Sequence, residues 1–138
     1  MVIYMHAPKQ AEQALVDSRV SGAPIEQLER EIVGCDYAAV GEALLTEWRL
    51  PRSFAVAIGA QIDPAHGAPH EFEASLLHLA RHAVGYDAEL IDSARIVASA
   101  SPAAWQITRL EPQAFEGACA EAGSSLAAVM GLFFSEYA

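Results

Sequence analysis

Positive charge is scarce in this 138-residue chain. Eight lysines and arginines stand against eighteen aspartates and glutamates, a formal net charge of −10. Lys9 is the one lysine, and the seven arginines are scattered singly. Phosphate backbones and anionic membrane surfaces are both bound by clustered cations. The sequence therefore argues against nucleic acid and against membrane surfaces as partners. Cysteine is scarce as well. Cys35 and Cys119 lie far apart and form neither a CxxC pair nor a disulfide framework, which fits a reduced, cytoplasmic compartment. No apolar run approaches the ~20 residues of a membrane-spanning helix. The opening MVIYM is too short for a signal peptide and has no basic leader. Strand-like alternation is missing, and no GxSxG elbow, Walker loop or GxGxxG turn occurs.

Hydrophobic residues make up 53% of the chain, which excludes wholesale disorder. The length suits a single domain, residues 1–138, able to bury roughly two-thirds of its unfolded surface. An alanine-rich, glycine-poor interior favours helix, and helical spacing recurs almost throughout. A first helix is expected over 9–20, stopped by Ser21-Gly22. Pro24 suits the first turn of a second, with Ile25, Leu28 and Ile32 as its apolar stripe. Asp36 is a fitting N-cap for a third helix, which carries Tyr37, Val40, Gly41, Leu44 and Trp48. Pro51 opens a fourth. Residues 63–69 read as a loop. A fifth helix follows to about Val84, a weaker sixth covers about 88–98, Ser101-Pro102 starts a short seventh, and Pro112 opens the last and longest. The fold class expected is all-α, a helical bundle with short connections.

The stretch GCDYAAVGEALLTEWRLPRSFAVAIGAQIDP, residues 34 to 64, resembles part of the HDOD domain, the non-catalytic bacterial relative of the HD and HD-GYP metal phosphohydrolases. Gly34, Asp36, Ala38, Val40, Gly41, Leu44, Trp48, Leu50, Pro51, Asp63 and Pro64 carry the resemblance. It extends along most of the chain and implies the C-terminal portion of an HD-like helical domain, with the family's N-terminal helices lacking a counterpart. It also implies that the metal-binding positions have degenerated. Tyr37 stands where the first histidine is expected, and Ala60-Gln61 (or, one residue along, Gln61-Ile62) where a histidine pair is expected. Arg81 stands where an acidic ligand is expected. Alanine cannot ligate and arginine repels a cation, so no metal and no other cofactor is expected.

His78 and His82 have the i, i+4 spacing of a zinc clip, with Glu71 on the same side, but no HExxH glutamate follows His78. Periodicity places Glu71, Ser75, His78 and His82 on a solvated stripe opposite Phe72, Leu76 and Ala83. His66 and His70 read as loop residues, and Cys35 and Cys119 as small core residues. Glu26, Glu29, Arg30 and Glu31 read as a solvated charged face. Gly34, Asp36, Gly41, Trp48 and Pro51 are expected to be packing residues, with Trp48 and Leu44 in the core, so that Trp48→Ala would badly destabilise the fold. Phe115, Leu126, Phe133 and Phe134 on the last helix serve either the core or an interface. An apolar surface left open by the missing helices favours a homodimer through that seam. The function expected is a catalytically inactive regulatory module in bacterial signal transduction, acting through a protein partner. The alternatives are a metal-dependent phosphohydrolase and a purely structural dimerisation domain.

Overall fold

The structure, a computed structural model, describes residues 2–83 and 97–134; of 124 and 126–134 it describes the backbone alone. It is all-α, as the sequence requires, and contains no strand among the described residues. The chain divides into two compact units, Met1–Ala74 and Ser75–Ala138.

The first unit holds α1 (Val2–His6), α2 (Pro8–Ser21), α3 (Ile25–Ile32), α4 (Tyr37–Glu47), α5 (Arg52–Gly59) and a 3₁₀ turn, Pro64–His66. Each boundary has a local cause. Pro8 occupies the first turn of α2, where its missing N–H costs nothing, and Gly22 ends that helix in the left-handed region at φ 74°. Pro24 and Pro51 sit one position before α3 and α5, as N-caps. Gly34 takes φ 95°, a conformation that side chains rarely adopt. Two residues later Asp36 accepts the Ala39 N–H at 2.8 Å and starts α4 as expected.

Helix α4 packs along α5 and α2 along α3, while α1 touches α2 and α4. Gly41 permits the first of these pairings, because a Cβ there would lie 2.6 Å from Ile58 Cγ2. Most of the buried apolar residues of this unit are alanines, namely Ala11, Ala14, Ala38, Ala55, Ala57, Ala60 and Ala74, with Ile3 and Pro64 as the larger members. Single methyls let helix axes approach closely but bury little area each.

Helix α6 (Glu71–Ala83) begins in the first unit and continues in the second, which also contains α7 (Pro102–Thr108) and α8 (Pro112–Phe134). Residues 97–99 are helical, and the rest of the weak helix expected over 88–98 lies outside the described residues. Leu79, Ala100, Ala104 and Phe115 form the core of this unit, with Ala83, Trp105, Leu110 and Cys119 packed against it. The rings of Trp105 and Phe115 meet edge to face at 5.6 Å. Gly117 on α8 has open space where a Cβ would be.

Candidate functional site

The polar centre of the first unit is built on α3. Glu26 and Glu29 are its buried residues, Glu29 only 5% exposed, whereas Ile25, Leu28 and Ile32 are half-buried. The solvated charged face expected for this helix is therefore corrected at these two positions. Hydrogen bonding is the reason at Glu29: the Tyr37 N–H, one of the donors left open at the start of α4, donates to Glu29 Oε2 at 2.8 Å. Glu29 thus serves as a second acceptor beside Asp36, whose other oxygen pairs with Arg30. Both carboxylates also gain from the positive end of the α4 dipole. Burial nonetheless raises Glu29 above the ordinary carboxylate range. The Tyr37 hydrogen bond opposes that rise, and the neighbouring charges of Asp36 and Glu26 add to it.

A half-open cleft of about 290 Å³ lies over this centre. Val2, Ile3, Val40 and Leu44 supply apolar walls, and Tyr4, Tyr37 and Glu29 supply the polar groups. Leu44, expected in the core, is a half-buried wall of this cleft.

Within the first unit, two of the degenerate ligand positions line separate recesses. Tyr37 lines the cleft, while the buried Ala60 lines a separate recess of about 140 Å³ with Glu42, Val56, Gly59 and His66. The Gln61 amide donates to the Ile58 carbonyl at 2.8 Å, and Arg81 belongs to the second unit. A phenol, a methyl, an amide turned back on its own backbone and a guanidinium do not fit a hard-metal donor set. Among the described residues no group of three or more His, Cys, Asp or Glu side chains is arranged to hold a metal ion.

Beyond α4 the chain turns sharply. Trp48 caps the helix C-terminus, and Arg49 takes φ 56°, left-handed for a residue with a side chain. Trp48 is 66% exposed and Phe54 59%, with Leu50 also exposed between them. The expectation that Trp48 fills the core is corrected: it falls just past the last helical turn, and the alanine interior leaves little room for an indole.

In the second unit α6 is turned the other way from its expected face. Ser75 and His78 are buried, His78 at 5% exposure, whereas Phe72 and Leu76 are exposed. The buried face is held by a distant backbone group, since the Ser101 N–H donates to His78 Nε2 at 3.0 Å. A neutral His78 must then carry its proton on Nδ1. His82 packs its ring edge-on against His78 at 4.8 Å, and its Nδ1 lies 3.2 Å from Ser99 Oγ. Phe115 is part of this unit's core and is not free for an interface. The side chains of Leu126, Phe133 and Phe134 lie outside the described residues. Burial raises the Cys119 thiol, in keeping with a packing residue.

Comparison with known proteins adds one finding. The family model of the HDOD domain matches residues 1–64. The match supports the family resemblance and includes the cap, the elbow and the Asp63-Pro64 end of the stretch from Gly34. It covers less than half of the chain, whereas the resemblance in the sequence extends along most of it. No curated protein and no solved structure matches the chain. No helix among the described residues is long and apolar enough to cross a membrane.

Proposed function

We propose that this chain is a catalytically silent HDOD-like module that regulates a bacterial cytoplasmic signalling component by direct protein contact. The elbow between α4 and α5 carries this reading. Trp48, Leu50 and Phe54 stand exposed within seven residues, interleaved with Arg49, Pro51 and Arg52. Tryptophan and arginine are the residues that dominate protein interfaces. A large aromatic left outside an alanine core has more to gain from a partner than from its own fold. The poor donor set at Tyr37, Ala60, Gln61 and Arg81 supports the non-enzymatic half of the proposal. In the same proposal the segment matching the HDOD family corresponds to the C-terminal portion of that domain. The module forms a homodimer through the later part of α8, beyond Phe115.

The test compares wild type with a Trp48→Ala/Phe54→Ala double variant, each tagged and expressed in the native cell. The expected result is a melting temperature within a few degrees of wild type together with loss of the co-purifying partner. A variant that kept its partner would remove the elbow from the proposal. Phosphodiester hydrolysis by the purified chain with added manganese would overturn the non-enzymatic assignment.

A further inference from the structure

The cleft over Glu29 has the chemistry of a small-molecule site that the docking role does not require. Its volume of about 290 Å³ is at the lower edge of ligand pockets, which start near about 300 Å³. Its walls are aliphatic, and Glu29, a residue only 5% exposed, stands among its lining groups. One oxygen of its carboxyl is occupied by the Tyr37 N–H. An ionised carboxylate is purely an acceptor, so a guest that pairs with it must bring a donor. Arg30, the next residue along the helix, is held by Asp36. An anionic guest would face Glu29, the one acidic residue lining the cleft, in a chain of net charge −10. A hydrated metal ion would find mostly aliphatic walls in place of the oxygen ligands it needs. The rings of Tyr4 and Tyr37, both lining the cleft, offer faces that attract an organic cation.

We propose that this cleft binds a small organic amine, with its apolar body between Ile3, Val40 and Leu44 and its ammonium directed at Glu29. Pairing offsets the cost of keeping a carboxylate out of water. The apolar body supplies the area that an ammonium alone lacks.

The test uses three probes of one shape, 2-phenylethylamine, 2-phenylethanol and 3-phenylpropionate, titrated calorimetrically into wild type and Glu29→Gln at pH 7.5. Glutamine keeps a carbonyl acceptor for the Tyr37 N–H, so the start of α4 retains its cap. In wild type the amine is expected to bind about tenfold tighter than the alcohol or better, the size of a charge-assisted hydrogen bond. The carboxylate is expected not to bind. In Glu29→Gln the amine and the alcohol should become equal. Equal binding of amine and alcohol to wild type, no amine binding at millimolar concentration, or an unchanged preference in Glu29→Gln would each overturn the proposal. Because Trp48 and Phe54 do not line the cleft, loss of partner binding at the elbow leaves this result unaffected.

Discussion

The carboxylate of Glu29 on α3 accepts the backbone N–H of Tyr37, the first residue of α4, at 2.8 Å. Eight residues apart in sequence, the two close the turn through Gly34, and the bond ties one helix side to the start of the next. Its energetics have two opposing parts, a hydrogen bond gained and a buried charge maintained.

Those parts separate by substitution. Glu29→Ala removes the acceptor and is expected to cost about 0.5–2 kcal/mol, as cap losses do, with the larger cost at low pH. Glu29→Gln keeps an acceptor and removes the charge. Because burial raises this carboxyl above its ordinary value of 4.5, the folded chain holds the proton more tightly than the unfolded chain does. The stabilisation from the protonated form is complete below 4.5 and is lost as pH rises through the higher folded value. Urea titrations at several pH values should show Glu29→Gln gaining on wild type across that window. A gap independent of pH would mean that Glu29 titrates normally.

Gly41 and Ile58 set the approach of α4 to α5. Gly41→Ala should gain up to about 1 kcal/mol of helix propensity, against about 1–3 kcal/mol for forcing the Ile58 methyl away. Net destabilisation is expected. Combined with Ile58→Ala, which removes that methyl, the same glycine substitution should turn neutral or stabilising. Denaturation midpoints of the four proteins give the coupling directly.

His78 holds the Ser101 N–H at the start of α7. His78→Ala leaves that donor without its acceptor and opens a cavity beside Leu79, and about 2–4 kcal/mol of stability should be lost. Hydrogen exchange should speed up at the Ser101 amide above all. Unchanged exchange there would show that the bond contributes nothing to the second unit.

Helix existence was legible from α2 onward, because proline, glycine and Asp36 mark boundaries by backbone chemistry that acts within a few residues; α1 (Val2–His6) was not foreseen from these marks. Asp36 capping α4 and the close packing at Gly41 both followed from the residue types alone. The buried side of a helix was less legible. On α3 and α6 the polar residues inside are Glu26, Glu29, Ser75 and His78. Two of them, Glu29 and His78, bond to backbone N–H groups 8 and 23 residues away. Periodicity separates two faces but does not say which one finds partners. The cleft escaped the sequence reading for the same reason. Glu29 looked like one more surface charge, and its one visible signal was its place near the end of the helix that precedes the Asp36 cap.

The alanine interior of the first unit also bears on how that unit responds to temperature. Heat capacity rises on unfolding in proportion to the apolar area exposed to water. Methyl groups packed helix to helix expose little, so the increment for this unit is small and its stability curve is shallow. Enthalpy and entropy of unfolding then change slowly with temperature, and the fold keeps nearly the same margin in the cold as in the warm. Under the proposed function, a partner that covers Trp48 and Phe54 would contribute the missing apolar burial. The heat-capacity signature that a larger core would show on folding would then appear on association.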